Sequence, residues 1–419
     1  MERKYNGMTK ELNQKLQEYA RLLVRIGLNI RDRQTLVISC PVECAYFARM
    51  CAEEAYDAGC REVVMSWSDD TLTRLKYLHG DEAIFDEVPL WNRHFFTDYA
   101  YEGAAYLAIH AENPENLKGV DPKRLKRSQM SNGKAKSEFR RLEMTNGFPW
   151  CVASVPIPAW AKVVFPEDTE DTAMEKLWEG IFKAVRINGD GKSVERWNEH
   201  LDTMAKRQAK LNELNFKSVH YTNSLGTDLT VELPEGNLWV AGGDTTPKGQ
   251  VFIANMPTEE IFSAPKRDGV NGVVYSAMPL VLGGNIIDKF HLVLKDGKIV
   301  EVHAEKGEQN LKDAISVDEN AAYLGEIALV PYDSPISNQK ILFYNTLFDE
   351  NAACHFAFGA SYPCLKGGDK MTSEELWEHG LNDSITHVDF MVGTKDLQIV
   401  GTTHDGREVP VFVDGNFAI

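Results

Sequence analysis

The first half of the chain alternates between two hydrophobic periods. From residue 11 to Gly27, apolar side chains recur every three or four positions, which predicts an amphipathic helix that ends at Gly27. Short β-branched runs at 35–39 (TLVIS) and 62–67 (EVVMSW) enclose a second helical pattern at 43–58. Strand, helix and strand at this spacing indicate a βαβ unit, so we expect a mostly parallel sheet with helices on its faces. We predict further strands at 105–110 and 150–156, and solvated connecting helices at 172–186 and 193–214.

The second half is patterned as antiparallel hairpins. The stretch 220–233 (HYTNSLGTDLTVEL) has an Asn-Ser-Leu-Gly turn between two alternating runs, and 291–307 (HLVLKDGKIVEVHAEKG) has Asp-Gly between two more. The C-terminal residues 401–419 contain Asp-Gly twice. We therefore predict an α/β N-terminal domain with a mostly parallel sheet at 1–215, followed by a mainly antiparallel β (α+β) C-terminal domain at 216–419.

Length and composition agree with two globular domains. At 419 residues the chain exceeds the usual size of one hydrophobic core, and 43% hydrophobic with 26% charged residues is typical of a folded protein. The 62 acidic residues outnumber the 45 basic ones, which gives a formal net charge of -17. This charge argues against nucleic acid or an anionic membrane as a partner, because both are bound through basic patches.

We expect the protein to be cytoplasmic. The N-terminus is charged and helical in period, without the apolar region of a signal peptide, and no run of 18 apolar residues occurs. The seven cysteines match neither a disulfide framework nor a CxxC pair. We therefore expect reduced and mostly buried thiols, as the cytosol would keep them.

Several common active-site motifs are absent from the sequence. The turn after Ser39 (CPVECAYFA) contains no glycine, which excludes the dinucleotide fingerprint and the P-loop there. The zinc-protease helix motif HExxH and the nucleophile elbow GxSxG do not occur. A metal site would therefore have to be assembled from separate segments.

Four segments of the second half carry carboxylates and imidazoles among apolar residues. Glu326 is predicted to lie immediately before an apolar strand, where an unpaired carboxylate is costly to bury. His387 and Asp389 lie two apart on a predicted strand, so both side chains can reach one ion from the same face. Taken singly, such residues are rim carboxylates, hydrogen-bonded core histidines or packing tyrosines; together they supply the mixed oxygen and nitrogen ligands of a two-metal hydrolase. The segments are NMPTEEIFSAP (255–265), LGEIALVPYDSPIS (324–337), LFDENAACHFAFGASYP (347–363) and THVDFMVG (386–393).

These segments resemble the signature segments of the M29 family of metallo-aminopeptidases, the aminopeptidase T, aminopeptidase S and PepS group. They occur in the family's order, and GTDLTVEL (226–233) with the C-terminal Asp-Gly hairpins extends the resemblance to essentially the whole chain. The resemblance implies a hydrolase with two divalent metal ions per subunit and a homodimer that encloses its active sites. Its substrate would be a peptide with a free N-terminus, from which it removes N-terminal residues. The metal-site residues that the resemblance implies are Glu260, Glu326, Glu350, His355, His387 and Asp389, with Tyr362 at the site as a ligand or a close neighbour.

The chemistry of a two-metal site suggests catalytic roles for some of these residues of the C-terminal catalytic domain. Glu326 would lie between the two ions, Tyr362 would donate a hydrogen bond to the oxyanion, and Glu259 is a candidate general base or support for a ligand. Carboxylates and imidazoles suit zinc, cobalt and manganese alike, so the metal stays open. Two alternative functions also stay open: a metal-dependent amidase or esterase acting on non-peptide substrates, and a non-catalytic ligand-binding protein.

Overall fold

The chain folds as a mixed α/β structure that contains one parallel sheet and several antiparallel sheets. The computed structural model describes residues 9–283 and 285–419. None of the helices in this part of the chain has the length and apolar character that a membrane span requires. The mixed α/β class predicted from the sequence is confirmed. The contacts divide the chain into two compact units, the first running to His200 with Gly243–Pro257 and the second comprising Leu201–Gly242 with Thr258–Ile419.

The domain boundary predicted between residues 215 and 216 stays a prediction. The division into compact units falls instead within the helix Ser193–Leu214, and Gly243–Pro257 packs with the first unit. Residues far apart in sequence thus share a unit. For example, the backbone N–H of Val152 donates a hydrogen bond to the carbonyl oxygen of Ala254 at 2.8 Å.

The first unit is built on a four-stranded parallel sheet. The elements up to residue 214 are α1 Lys10–Leu22, β1 Thr35–Pro41, α2 Ala45–Asp57, β2 Glu62–Ser68, α3 Asp70–His79, α4 Leu90–Tyr101, β3 Ala105–His110, α5 Pro122–Ala135, α6 Ser137–Met144, β4 Trp150–Ser154, α7 Pro158–Val164, α8 Glu170–Ala184 and α9 Ser193–Leu214. The strand order is β2-β1-β3-β4, with every pair parallel. The β-branched run of β1 lies in the middle of the sheet and is largely buried, as expected for a parallel strand.

Most elements predicted for this half are confirmed. The first helix is α-helical to Leu22 and continues as the π-helical turn Leu23–Gly27, so it ends where predicted. The prediction that α8 is a solvated connector was wrong, because Leu177 and Ile181 on its apolar face are fully buried. The helices α3 to α6 lie between strands at positions where the sequence pattern had predicted no element.

The rest of the chain is mainly antiparallel. Its elements are β5 Phe216–Thr222, β6 Asp228–Glu232, β7 Val240–Ala241, β8 Asp244–Thr245, β9 Val251–Phe252, β10 Ile261–Ser263, β11 Val270–Tyr275, β12 Leu280–Leu282, β13 Asn285–Lys295, β14 Lys298–Lys306, α10 Glu308–Ala314, β15 Leu324–Leu329, α11 Thr346–Glu350, β16 His355–Gly359, α12 Ser373–Glu378, β17 His387–Met391, β18 Gln398–Thr403, β19 Glu408–Val413 and β20 Asn416–Phe417. A nine-stranded sheet has the order β12-β13-β11-β6-β5-β18-β19-β20, with β14 beside β13, and a five-stranded sheet has the order β17-β16-β15-β10-β7. The strands β8 and β9 pair with each other.

The predicted hairpin at 291–307 is confirmed. Asp296 and Gly297 join β13 to β14, and both have positive φ angles, 49° and 82°, as the tight hairpin turn requires. The two larger sheets share one hydrophobic core. Within it, the ring centroids of Tyr221 on the nine-stranded sheet and Phe356 on the five-stranded sheet are 5.0 Å apart. One face of the five-stranded sheet therefore packs into this core.

Candidate metal centre

The other face of the five-stranded sheet carries the candidate ligands. Antiparallel pairing puts Phe356 opposite Ile327 on the core face. Successive residues of a strand point to opposite faces. The next position, Ala357, lies opposite both Glu326 and Asp389. Two carboxylates from different strands therefore flank a small side chain on the face that points away from the core.

A β-bulge turns Glu326 towards this face. Leu324 pairs with Phe358 on the core face, and in a regular strand Glu326, two residues later, would point the same way. The register instead shifts between Leu324 and Glu326, a device that re-aims side chains beside active sites. Gly325 is needed in the bulge, because a Cβ atom there would lie 2.2 Å from the carbonyl oxygen of Ala360. Glu326 thus lies within β15, which corrects the prediction that it precedes the strand.

One group of ligand atoms comes from Glu260, Glu326 and His355. All three residues are buried, and one ligand atom from each lies within 4.8 Å of the others. His355 Nε2 is 3.0 Å from Glu260 Oε2. Glu260 directly precedes β10, and His355 is the first residue of β16, so both flank the strand β15 that carries Glu326.

A second group of ligand atoms comes from Glu326, His387 and Asp389. His387 Nε2 is 3.0 Å from Glu326 Oε2 and 3.4 Å from Asp389 Oδ1. The prediction that His387 and Asp389 share a face is therefore confirmed. The side chain of His387 is 23% exposed, whereas that of His355 is only 1% exposed, so the centre is more accessible from the His387 side.

Backbone carbonyl groups orient the two imidazoles. His355 Nδ1 is 3.1 Å from the carbonyl oxygen of Ala353, and His387 Nδ1 is 2.8 Å from that of Ala360. A carbonyl oxygen only accepts hydrogen bonds, so Nδ1 carries the hydrogen in each ring. A neutral imidazole in that tautomer directs the lone pair of Nε2 towards the carboxylates, which is the usual arrangement of a metal-ligating histidine.

The carboxylates repel one another across a buried space. Burial raises the pKa of Glu326, and repulsion from Glu260 and Asp389 adds to the effect, while the hydrogen bond from His387 opposes it. Burial and the charges of Asp389 and Glu260 raise the pKa of Glu350 well above its ordinary value. The raised pKa values of Glu326 and Glu350 indicate that their surroundings do not fully stabilise the negative charge of the ionised carboxylates.

The two histidines respond in the opposite direction. Burial opposes the charged form of His355, but the hydrogen bond and charge of Glu260 outweigh it and raise the pKa to about 10. Burial likewise opposes charging of His387, yet Asp389 and Glu326 raise its pKa well above the ordinary value. Each imidazole therefore sits in a field that strongly attracts positive charge.

The remaining predicted residues border these groups without belonging to them. In the described part of the chain, neither ligand group includes Glu259 or Glu350; both groups consist of acids and histidines, whereas Tyr362 offers a phenol oxygen. Glu350 ends α11 and interacts electrostatically with Asp389. The ring of Tyr362 lies 5.4 Å from that of His387. Glu259 is buried directly before Glu260. The roles of these three residues, and the ligand roles of the other five, stay predictions.

Two neighbours of Glu350 have contacts that no sequence pattern revealed. The carboxylate of Asp349 accepts hydrogen bonds from the backbone N–H groups of Phe343 and Asn345 at 2.9 and 3.0 Å, and burial raises its pKa to about 7. Asp349 thus holds the loop before α11. Asn351, which is fully buried, accepts a hydrogen bond from the backbone N–H of Glu259 at 2.7 Å. Asp and Asn are so common at helix ends and turns that the sequence alone gives neither role away.

The donor set fits divalent metal ions. It offers carboxylate oxygens and imidazole nitrogens, the ligands that zinc, cobalt and manganese accept. Within residues 9–283 and 285–419, the ion pairs made by Glu260, Glu326 and Asp389 are all with histidine. The excess of buried carboxylates is the charge that divalent cations would neutralise. A centre of this composition on one face of a sheet is typical of metal-dependent hydrolases.

Comparison with known proteins supports that class. The family model described as thermophilic metalloprotease (M29) matches residues 12–417. Aminopeptidase AmpS of Bacillus subtilis (strain 168) is 44% identical over 407 residues, which cover 97% of this chain and 99% of that protein. Aminopeptidase 2 of Geobacillus stearothermophilus is 43% identical over 414 residues, which cover 99% of each chain. The structure of wild-type AmpT from Thermus thermophilus matches with a TM-score of 0.90 and 35% identity, and covers 97% of this chain and 100% of that chain.

The chain belongs to the M29 family of metalloproteases. The family match spans nearly the whole sequence, and the relatives are named aminopeptidases over essentially their full lengths. The predicted family is therefore confirmed, and so is the prediction of a hydrolase that acts as a metallo-aminopeptidase. The family implies a divalent metal, for which the two ligand groups are the candidates.

Proposed function

We propose that this metallo-aminopeptidase holds two divalent metal ions in each subunit and uses them to release the N-terminal residue of a peptide. The observation that carries the proposal is that Glu326 belongs to both ligand groups. One carboxylate has two oxygens, so it can give one to each of two ions. Two separate single-metal sites would have no reason to share a residue from the middle of a bulged strand.

The ligands divide around Glu326. Glu260 and His355 would hold one ion, and His387 and Asp389 would hold the other. Glu350 acts electrostatically on members of both groups, which supports its assignment as a further ligand. Tyr362 lies beside His387, the more accessible of the two histidines, which supports its assignment at the entrance of the centre.

The chain's own groups would bind and orient the substrate and move its protons. When bound, the ions supply Lewis acidity that activates water and polarises the scissile carbonyl. Tyr362 would donate its hydroxyl hydrogen bond to the oxyanion that develops on that carbonyl. Glu259 would accept the proton of the attacking water at a carboxylate oxygen and return it to the nitrogen of the leaving peptide as the C–N bond breaks. The hydrogen bonds from the Nδ1 atoms of His355 and His387 keep their rings from rotating during these steps.

The selectivity for a free N-terminus would come from the α-amino group of the substrate. In its neutral form this amine has a lone pair that a divalent ion held by these residues could accept, whereas the nitrogen of an acetylated terminus is an amide and offers none. Carboxylates and imidazoles do not by themselves choose between zinc, cobalt and manganese. We therefore propose one of these three metals, which elemental analysis of the purified protein identifies.

Chelation tests the proposal. Prolonged dialysis against a chelator should abolish hydrolysis of an aminoacyl p-nitroanilide, and addition of zinc, cobalt or manganese should restore it with two ions bound per subunit. The same peptide with and without an N-acetyl group provides the matched substrate control, and the acetylated form should not be cleaved. Full activity of metal-free protein would refute the metal mechanism. Efficient internal cleavage of the blocked peptide would refute the exopeptidase assignment.

We also propose a cytoplasmic homodimer whose subunits have an α/β N-terminal domain at 1–215 and a C-terminal catalytic domain at 216–419. The buried state of all seven free cysteines supports a reducing compartment. Light scattering coupled to size-exclusion chromatography measures the mass of the assembly, and a mass of one chain would contradict the dimer.

A further inference from the structure

Asn351 links two segments that contribute to the metal centre. It follows Glu350 directly at the end of α11 and is fully buried. Its Oδ1 atom accepts a hydrogen bond from the backbone N–H of Glu259 at 2.7 Å. Its Nδ2 atom donates to the carbonyl oxygen of Leu347 at 2.9 Å and makes a longer contact of 3.4 Å with Oε1 of Glu350.

The contacts allow the amide only one orientation. The backbone N–H of Glu259 can only donate, so it must face the amide oxygen. The carbonyl of Leu347 can only accept, so it must face the amide nitrogen, and Oε1 of Glu350 lies on that same side. Only an amide of this length offers an acceptor on one side and two donors on the other. Neither Asp nor an apolar residue of similar size can replace all three contacts.

The segment that Asn351 fixes has little other regular structure. Residues 258–260 belong to no helix or strand, yet Glu260 Oε2 must lie 3.0 Å from His355 Nε2 to complete the first ligand group. An irregular segment holds a side chain in place only when its backbone groups are anchored. The hydrogen bond from Glu259 N–H to Asn351 provides such an anchor one residue before Glu260.

We propose that Asn351 is a positioning residue that holds the Glu259–Glu260 segment and the Glu350 carboxylate in register for metal binding. It acts through these neighbours and touches neither substrate nor metal. The inference rests on the proposed two-metal function, because it assigns Asn351 a task towards those ions. Groups that orient metal ligands typically change metal affinity or activity by about 10- to 100-fold when they are removed.

The test is the affinity for zinc of metal-free protein, measured by competition with a chelating indicator. Asn351→Ala should raise the Kd for zinc by about 10- to 100-fold, and it should lower kcat of the reloaded enzyme more than it changes KM. The matched control is Asn237→Ala. Asn237 is also a buried asparagine of the second unit, but its amide nitrogen faces Ser263 Oγ at 3.4 Å rather than a carboxylate of the centre. The control should lose stability without a change in the Kd for zinc.

The possible outcomes separate the two proposals. If wild-type protein binds none of zinc, cobalt and manganese, the proposed function fails whatever Asn351 does. If it binds cobalt or manganese but not zinc, that metal replaces zinc in the Kd comparison. If wild type binds two zinc ions and Asn351→Ala binds both with unchanged Kd, only the positioning role is overturned. Equal losses of zinc affinity in Asn351→Ala and Asn237→Ala would also overturn it, since that result indicates a general structural defect. Should Asn351→Ala fail to fold, judged by circular dichroism, Asn351→Ser replaces it and the same Kd comparison decides.

Discussion

Buried acids are stabilised differently in the two compact units. In the first unit, Glu18 is 8% exposed, and its carboxylate accepts hydrogen bonds from the backbone N–H groups of Ser193 and Gly191 at 3.0 and 3.4 Å. Arg196 lies 3.8 Å away. Glu326 in the second unit is equally buried, but it faces other carboxylates as well as an imidazole.

This difference shows how a carboxylate that binds an ion can be distinguished from a structural acid, that is, one such as Glu18 whose partners all belong to the chain. Around Glu18 the chain supplies hydrogen-bond donors and a positive charge from its own residues, so the carboxylate is stabilised locally. Around Glu326 the chain instead buries several acids together. Burial and mutual repulsion raise the pKa values of Glu326 and Glu350, which costs free energy of folding. A cluster of that kind is stabilised by ions from solution, whereas Glu18 needs none.

Replacing the shared carboxylate should have the largest effect. Glu326→Gln removes the group common to both ligand sets, so we expect both ions to be lost on dialysis. Metal-ion catalysis supplies several kcal/mol of transition-state stabilisation, so kcat/KM should fall by about 10³-fold. Elemental analysis and initial rates measure the two quantities, with circular dichroism to confirm folding. A Glu326→Gln protein that retains two ions would make Glu260 or Asp389 the better candidate for the shared ligand.

Replacing a ligand of one group should have a smaller effect. Asp389→Asn removes a carboxylate from the second group alone, so one ion per subunit should survive dialysis and kcat/KM should fall by about 10²-fold. Titration of zinc into the metal-free variant should then reveal one tight and one weak site. Loss of both ions, to the same degree as in Glu326→Gln, would show that the two sites are not separable.

Replacing the structural acid should change stability and leave metal binding intact. Glu18→Ala leaves the buried backbone N–H group of Ser193 without its acceptor and removes a longer, partly buried hydrogen bond to Gly191, so the free energy of unfolding should fall by about 2 kcal/mol. Urea unfolding measures the change as a lower midpoint. Metal content should equal that of wild type. If Glu18→Ala instead lowered the metal content and left stability unchanged, Glu18 would take part in metal binding as Glu326 does, and the proposed difference between them would be wrong.

The smallest expected effect is on the pH dependence of stability, and it comes from Glu143, a partly buried acid that lies outside the metal centre. Burial raises the pKa of Glu143 to about 7, and the charge of Arg140 opposes this shift. Because the folded-state pKa lies above the unfolded value, the stabilisation by the neutral form is complete below about pH 4 and is lost as the pH rises through 7.

Glu143→Gln should therefore remove that part of the pH dependence. One pKa unit corresponds to about 1.4 kcal/mol, but the side chain of Glu143 is partly exposed, and solvent screening reduces the gain at pH 8 to about 1 kcal/mol. Urea midpoints at pH 4 and pH 8 measure it, and the exposed Glu167→Gln serves as the control with no expected change. An equal gain at both pH values would mean that titration of Glu143 is not the cause.

Local patterns in the sequence determined most of the elements. The helix Ser193–Leu214 and the strand Ala105–His110 have the predicted bounds, because hydrophobic period and breaker residues act within a few positions of the chain. The hairpin at Asp296 and Gly297 followed from the need for positive φ angles in its turn. The types of ligand were also readable, since acids and histidines among apolar residues stand out in any sequence.

The local patterns did not predict the helices α3 to α6. The exposed faces of α3 include Leu72 and Leu75, so polar and apolar positions do not separate cleanly along it. Such a helix is stabilised by its caps and its neighbours, and here Asp69 accepts a hydrogen bond from the backbone N–H of Leu72. Periodicity alone therefore could not identify it.

Tertiary structure alone decided how the candidate ligands meet. The sequence order of Leu324, Gly325 and Glu326 does not say on which face the glutamate lies; the bulge does, and it forms because β15 pairs with a strand some thirty residues away. The neighbours Asp349, Glu350 and Asn351 are all polar and cannot be told apart by pattern, yet their contacts differ. Asp349 binds the loop before α11, Glu350 faces the other acids, and Asn351 anchors the backbone of Glu259. Composition and period are local properties of the chain, whereas the charge field and hydrogen bonds of a centre depend on which distant residues strand pairing brings within a few ångströms.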